Sequence, residues 1–383
     1  MRCVIAGGGT GGHLFPGIAI AEAFVEKELK NEVLFIGTER GIEVRVLAGG
    51  LFPLRTIQAR PFTGRSFWGK MKAVLSLPTA VWEALSILKE FRPDLVIGVG
   101  GYASGPTLLA AFLLRINRVI QEQNVVPGMS NRLLRGFSQR IFVSFEETKK
   151  YFSAPKTIMT GNPVRRELVT TLSTIRDRVK RESDRFTLFV FGGSAGAHRI
   201  NLAMTGALGF LEEIRSYLKC IHQTGQADVE AVSRAYQERG FEATVKPFIE
   251  EMATPYHLSD MVLCRSGAST IAELAVCGKA AILVPYPYAA HQHQLINAQK
   301  LVDLGAAKMI KDEELNGSSL AQIILALYHH PEERRRMEEA MARVARHRAA
   351  QEIIDHCYVL VGKSIPNVKA PMSNQCQISK SEF

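Results

Sequence analysis

The chain lacks most of what marks a secreted, metal-stapled or membrane-spanning protein. Its six cysteines (Cys3, Cys220, Cys264, Cys277, Cys357 and Cys376) form no C-x-x-C pair and no zinc spacing. That excludes a disulfide framework and reads as small thiols in a reducing compartment. No D-x-D occurs anywhere, which argues against a nucleotide diphosphate held through a metal. Thr107–Leu114 is the most tempting apolar run, and Arg115 ends it far short of the ~20 residues of a membrane span. No charged leader and apolar segment precede the first strand candidate at Arg2, so a cytoplasmic location is expected. Acids are also scarce: 37 Asp and Glu stand against 47 Lys and Arg, for a net charge of +10. Such a balance implies an anionic partner, whether nucleic acid, a phospholipid surface or a phosphorylated substrate.

What is present is a pattern that occurs twice. V-I-A-G-G-G-T-G-G-H over 4–13 returns half a chain later as F-V-F-G-G-S-A-G-A-H over 189–198. Each copy is an apolar run, a glycine-rich turn and a helix-compatible segment. That is the start of a βα unit whose helix N-terminus offers N–H groups and a positive dipole end to an anion. At 383 residues two such starts imply two similar nucleotide-binding domains facing each other across a cleft.

Apolar runs alternating with helical patterns point to a parallel α/β architecture. Strand candidates are Arg2–Ala6, Glu32–Gly37, Leu95–Val99, Arg118–Glu122 and Ile141–Ser144, then Phe186–Phe191, Lys219–Gln223, Ala243–Pro247, Met261–Cys264 and Ala280–Val284. Helices are expected over Gly17–Leu29 and Pro78–Phe91. The boundary is placed after Gly161-Asn162-Pro163, giving an N-terminal domain over 1–163 and a C-terminal domain over 164–344. Residues 170–185 read as a charged surface helix. Glu332–Ile354 reads as a long charged helical stretch that passes back to the first domain, which a C-terminal helix at about 345–362 is expected to join. Residues 363–383 lack a periodic apolar face and read as a disordered tail.

Several segments carry chemistry. Gly7–Gly12 formally contains G-x-G-x-x-G, but dinucleotide binding also wants an acid about 20 residues on, at the end of the second strand. Glu39 is too far along, and Glu212 and Glu213 follow a helix. The glycines instead suit close approach of backbone to phosphate or sugar, although tight packing alone would also use them. A third loop, Gly98–Pro106, follows a strand in the same way and holds Gly100, Gly101, Tyr102 and Ser104. His13 stands where a helix begins. A positive helix end disfavours the imidazolium, so the residue suits a general base, or simply a cap.

Arg265–Leu274 (R-S-G-A-S-T-I-A-E-L) opens another helix after a strand. Its hydroxyls and N–H groups can surround a diphosphate, and Glu273 can accept ribose hydroxyls or remain a solvated end of a capping box. His291-Gln292-His293-Gln294 reads as amides for sugar hydroxyls rather than as a metal site, because no carboxylates accompany it. Arg55–Lys72 has five basic residues and no acid, interleaved with Phe62, Phe67, Trp68 and Met71. An anionic membrane surface suits it, with nucleic acid and a plain solvated loop as alternatives.

Seven motifs together resemble a known family: GGGTGGHLFPGIAIAEAF, GVGGYASGP, QEQNVVPGMSNRLL, GNPVR, FGGSAGAHRIN, CRSGASTIAEL and HQHQLINAQKL. In this order over roughly 1–360 they are similar to the bacterial peptidoglycan N-acetylglucosaminyltransferases, the MurG family. The resemblance implies a GT-B fold of two Rossmann-like domains. It implies inverting, metal-independent transfer of GlcNAc from UDP-GlcNAc to the MurNAc 4-hydroxyl of undecaprenyl-diphospho-MurNAc-pentapeptide (lipid I), with no cofactor and no nucleic acid. A transferase for another lipid and a UDP-GlcNAc epimerase are the alternatives of the same fold.

By the same resemblance the donor contacts are Thr10, Gly11, Gly12, Asn124, Arg165, Ser194, Ile249, Ala268, Ser269, Thr270, Ile271, Ala272, Glu273 and Gln294, with Gln292 competing for the last role. His13 is the implied base. The acceptor diphosphate is expected on the first-domain glycine loops, at Gly100, Gly101, Tyr102 and Ser104. Phe62, Phe67, Trp68, Lys70 and Lys72 are expected to touch the cytoplasmic face of the inner membrane. Proteins of the division and elongation machinery are further candidate partners. The family's acid just before the glutamine pair is missing here, where the chain reads Pro287-Tyr288-Ala289-Ala290.

Overall fold

The computed structural model describes residues 1–39, 41–50, 52–59, 67–175, 185–289 and 292–366, without the side chains of 67–75 and 171–175. The first sheet comprises β1 (Arg2–Gly7), β2 (Glu32–Thr38), β3 (Leu54–Ile57), β4 (Leu95–Gly100), β5 (Asn117–Glu122), β6 (Arg140–Val143) and β7 (Thr157–Met159). The second comprises β8 (Phe186–Phe191), β9 (Leu218–Gln223), β10 (Glu242–Lys246), β11 (Met261–Cys264), β12 (Ala281–Leu283) and β13 (Ala307–Met309). All pairings are parallel, in the orders β3-β2-β1-β4-β5-β6-β7 and β10-β9-β8-β11-β12-β13. Each sheet therefore reverses direction beside its first strand, between β1 and β4 and between β8 and β11. A crevice opens at the strand carboxyl ends there, which is where doubly wound sheets bind ligands.

Around the first sheet run α1 (Gly11–Lys27), α2 (Ile42–Leu47), α3 (Phe67–Phe91), α4 (Ser104–Leu113) and α5 (Met129–Leu134), and α6 (Arg166–Ile175) follows. Around the second run α7 (His198–Ala207), α8 (Val229–Glu238), α9 (Ala253–Leu258), α10 (Ala268–Cys277), α11 (His293–Asp303), α12 (Gly317–His329) and α13 (Pro331–Arg343), and α14 (Ala349–Val361) is the last helix among the described residues. The strands are apolar on both faces because each sheet is covered on both. Val4 and Ala6 face one core of the first sheet; Cys3 and Ile5 face the other. Ile353, Ile354, Cys357 and Tyr358 of α14 pack into that second core beside α1.

All ten expected strands are present within one residue at either end. The three that the pattern missed, β3, β7 and β13, are short edge strands with too few residues to show a period. Two helices start earlier than expected. α1 begins at Gly11 although Pro16 lies inside it, and α3 begins at Phe67, eleven residues before Pro78. The basic and aromatic stretch is therefore partly β3 and partly the first turns of α3. The long C-terminal helix is instead two, α13 and α14, separated by residues 344–348. Of the charged segment over 170–185, α6 takes the first part and 176–184 fall outside the described residues, as does the tail from 367.

One buried histidine makes the second domain acid-sensitive. His222 of β9 lies between Asn201 Oδ1, 3.1 Å from its Nε2, and the Tyr236 hydroxyl, 3.2 Å from its Nδ1. Burial pushes its pKa down to about 3. The unfolded chain takes up this proton near pH ~6.5, while the folded protein does so only near pH 3. Stability is thus lost as the pH falls through that window, at about 1.4 kcal/mol per pH unit from this group. Replacing His222 by Gln should flatten the dependence between pH 6 and 4 in urea unfolding, and an unchanged slope would place the acid sensitivity elsewhere.

Candidate functional site at the interdomain cleft

The repeated glycine loops end β1 and β8, and their histidines open α1 and α7. The loops are alike in sequence and unlike in what they hold. In the first, the fully buried Glu43 of α2 reaches in from beneath. Its carboxylate accepts from Gly9 N–H (2.8 Å), Thr38 N–H (2.8 Å) and the Thr38 hydroxyl (3.0 Å). A Cβ on Gly8, where φ is +134°, would sit 2.5 Å from that carboxyl carbon. The chain thus supplies its own anion to this loop. In the second loop a Cβ on Gly193 would meet nothing within 4 Å. Among the described residues no carboxylate is bonded to the backbone there. Gln223 Nε2 fastens the loop from the Gly193 carbonyl (2.8 Å), and its Oε1 accepts from Ile249 N–H (2.7 Å).

Across the cleft, α1 and α10 meet end to end. Pro16 has no N–H for the Gly12 carbonyl one helical turn back, so that oxygen is spare. The Ser269 hydroxyl, in the first turn of α10, donates to it (3.1 Å). Neither helix, nor α7, has a side-chain N-cap. Their leading N–H groups and positive dipole ends therefore open into the cleft uncapped, a ready seat for anionic groups.

His13 lies beside this contact, its Nδ1 3.3 Å from Gln123 Oε1. Gly100, at φ +91°, makes room for it, because a Cβ there would come within 2.8 Å of the same nitrogen. Gln123 Nε2 donates to the Val99 carbonyl (2.7 Å) and to Gln121 Oε1 (2.6 Å). Gln121 Nε2 donates to Asn162 Oδ1 (3.0 Å), and Asn162 Nδ2 reaches Ser269 Oγ (3.5 Å). Glu122, on the opposite face of β5, holds the following loop through Asn124 N–H, Gly128 N–H and Asn131 Nδ2.

The other expected residues differ in burial and in partners. Thr10, Gly11, Gly12, Asn124, Ser194 and Ala268–Thr270 are partly exposed or at the cleft's helix ends. Ile249 is buried behind the second loop. Glu273 is buried and already engaged: Arg165 Nη2 lies 3.2 Å from one oxygen, and the Tyr256 hydroxyl donates to the other (3.1 Å). Burial works against the Arg165 charge, but Glu273 and Glu167 outweigh it and hold the guanidinium pKa above its ordinary value. Ile271 and Ala272 pack against the apolar core beneath. Gln294 Oε1 accepts from Tyr286 N–H (3.0 Å), tying α11 to the proline loop, whereas Gln292 is exposed at φ +52°. Gly100, Gly101 and Tyr102 line the first-domain side, with the Tyr102 ring over Gly9. Ser104 does not join them. It is fully buried, with its hydroxyl turned under β4 toward Gly98, because the first turn of α4 faces inward.

Residues 3–143 match the Glycosyltransferase family 28 N-terminal domain, and residues 187–353 match the family's C-terminal domain. Two relatives carry the name UDP-N-acetylglucosamine--N-acetylmuramyl-(pentapeptide) pyrophosphoryl-undecaprenol N-acetylglucosamine transferase. The one from Myxococcus xanthus is 46% identical over 94% of this chain and 93% of its own. The one from Geobacter sulfurreducens is 48% identical over 93% and 97%. The chain belongs to the MurG branch of glycosyltransferase family 28. The crystal structure of Acinetobacter baumannii MurG superposes with a TM-score of 0.72 at 30% identity, over 93% of this chain and 98% of that one. The UDP-GlcNAc 2-epimerase of Neisseria meningitidis, bound to UDP-GlcNAc, shares the GT-B fold with a TM-score of 0.67 at 15% identity, over 94% of this chain and 100% of that one.

Glu43, Gln121, Gln123, Asn162 and Pro16 were not singled out from this family-28 sequence. The one available signal was the period-2 spacing of Gln121 and Gln123 at the end of β5, which puts both amides on one face. Nothing local marks Glu43, which lies on a different element from the loop it fills.

Removing the Glu43 carboxylate leaves the buried Thr38 N–H without an acceptor, at a cost of ~1–3 kcal/mol, and frees the half-buried Gly9 N–H as well. Glu43→Ala should therefore lower the urea midpoint markedly, and Glu43→Gln by less. Equal stability of Glu43→Ala and the parent would mean that water serves the loop as well.

Proposed function

We propose that the chain transfers GlcNAc from UDP-GlcNAc to the MurNAc 4-hydroxyl of undecaprenyl-diphospho-MurNAc-pentapeptide, with inversion at the anomeric carbon. The observation that carries the reading is the end-to-end meeting of two uncapped helices at Gly12 and Ser269, with His13 beside them, in a chain 46–48% identical to named transferases. Residues 164–344 would hold the donor, because the second glycine loop is open where Glu43 fills the first. Residues 1–163, with the helix at about 345–362, would hold the acceptor, its diphosphate at Gly100, Gly101 and Tyr102.

The chemistry balances without further participants. His13 takes the proton of the acceptor hydroxyl as that oxygen attacks the anomeric carbon. The bond to UDP breaks, and the developing negative charge falls where the N-termini of α7 and α10 and the guanidinium of Arg165 can stabilise it. Ser194 and Ala268–Thr270 would meet the diphosphate, with Ile249 beside the uracil. Glu273 would turn one oxygen to the ribose while Tyr256 keeps the other, and Ile271 and Ala272 would support it from behind. Thr10, Gly11, Gly12, Asn124 and the free amide of Gln294 would surround the sugar.

The acceptor also implies a membrane. No described helix is long and apolar enough to cross one, but an apolar patch is exposed on α3, α4, α5 and the turn beyond. Leu77, Trp82, Leu113, Leu133 and Phe137 project from it, with Arg132 on α5 and Arg115 and Arg135 just past the ends of α4 and α5. Apolar residues among arginines suit peripheral binding to the anionic cytoplasmic face of the inner membrane. Phe62 lies outside the described residues, as do the side chains of Phe67, Trp68, Lys70 and Lys72, whose backbone forms the first turns of α3. Division and elongation proteins would meet the enzyme on that membrane.

The deciding assay is transfer of labelled GlcNAc to a short-chain lipid I analogue in EDTA. A β-linked disaccharide is the expected product. Retained UDP-GlcNAc binding with no transfer would move the reading to another lipid acceptor or to epimerisation. His13→Ala should cut kcat by ~10²–10⁴-fold and leave UDP-GlcNAc affinity within twofold; equal losses in both would remove His13 as the base. Trp82→Ser with Leu133→Ser should reduce sedimentation with phosphatidylglycerol vesicles, and unchanged sedimentation would exclude this patch as the membrane face.

A further inference from the structure

We infer that Gln123 is a positioning residue that locks His13 in one tautomer, with the proton on Nδ1 and the lone pair of Nε2 left to act as base. The Val99 carbonyl can only accept. The Gln123 atom 2.7 Å from it must therefore be the amide nitrogen, since the flipped amide would set two carbonyl oxygens against each other. That fixes Oε1 toward His13, and an amide oxygen has no proton to give. The 3.3 Å contact is a hydrogen bond only if Nδ1 carries the proton.

The far end of the network gives the same answer independently. The Gly12 carbonyl can also only accept, so the Ser269 hydroxyl spends its proton there. Ser269 Oγ must then accept from Asn162 Nδ2, Asn162 Oδ1 from Gln121 Nε2, and Gln121 Oε1 from Gln123 Nε2. Every donor points the same way, from His13 Nδ1 through three buried side-chain amides to the carbonyl of the residue before His13. Reversing the Gln123 amide would misdirect the bonds to Val99 and Gln121 at once. Buried networks of this kind hold one arrangement because each unmade bond is costly. Gly100 completes the seat, since a side chain there would displace the ring.

The role in turnover rests on His13 being the base, but the tautomer does not, and the two are tested separately. With 15N-labelled histidine, and His13 signals assigned by their loss in His13→Asn, the parent protein at a pH where His13 is neutral should show a protonated Nδ1 and an unprotonated Nε2. A protonated Nε2 in the parent overturns the inference whatever the enzyme does. In Gln123→Met, similar in length and without the amide, the two nitrogens should average toward a mixture. Transfer should fall at least ~10-fold, within the ~10²–10⁴-fold that general-base catalysis supplies, with UDP-GlcNAc affinity unchanged. A mixed tautomer with undiminished kcat would uphold the positioning and remove His13 from the proton transfer. An unmoved tautomer in Gln123→Met would show that something other than Gln123 sets it.

Discussion

A glycine turn at the end of a parallel strand leaves backbone N–H groups pointing into a crevice, and each must find an acceptor. The two halves of this molecule meet that demand differently. In the first turn the chain meets it internally: Glu43, lifted on the short helix α2, satisfies Gly9 and Thr38 and fills the space where a phosphate could lie. In the second turn the space is open and Gln223 ties only the back of the loop. Two copies of one motif thus become one open loop and one loop filled from within.

The contact between the halves follows from a local defect. A proline inside the first turns of a helix is ordinarily a loss of one bond, but here it exposes the Gly12 carbonyl to Ser269. Around that bond lie exposed pairs, among them Arg166 with Glu26 and Lys300 with Glu147, and Arg45 over the Phe248 ring. Exposed ion pairs contribute little each, so the junction is directional without being rigid. Such an interface permits hinge motion, which exchange of a sugar nucleotide and a lipid requires. The Ser269 bond to the Gly12 carbonyl also aligns the N-termini of α1 and α10.

Much of the fold was legible because parallel strands covered on both faces are continuous apolar runs, and these announced ten strands within a residue. β3, β7 and β13 escaped because an edge strand of three or four residues has no period to read. The true start of α1 escaped because glycines and Pro16 argue locally for a loop, and only burial of the helix's far side overrides them. The site was legible where chemistry and sequence are contiguous, as at His13 and the Ser269 loop. It was illegible where the partner comes from elsewhere. Glu43 contacts a loop more than thirty residues away, and the Glu273 carboxylate is shared with Arg165 from a different element. Ser104 shows the converse: residing in a glycine-rich loop did not expose it, because the helix it opens turns that side chain under the sheet.

The two histidines of the repeat carry this furthest. His13 and His198 hold equivalent places at the heads of α1 and α7, yet the first meets an amide and the second a carboxylate, Asp228, at 2.9 Å. A carboxylate partner stabilises the imidazolium and adds a negative charge. Beside a cleft that must receive two diphosphates, that charge would oppose both substrates and the departing UDP. An amide oxygen orients the ring as firmly through one hydrogen bond and leaves the field of the helix ends intact. The exposed His198, whose ring lies outside the network that reaches Ser269, is under no such demand. The difference between a histidine held by an amide and one held in a surface ion pair is therefore set by which side chain the neighbouring strand or turn presents. At His13 that choice is made by the spacing of Gln121 in β5 and Gln123 just past its end.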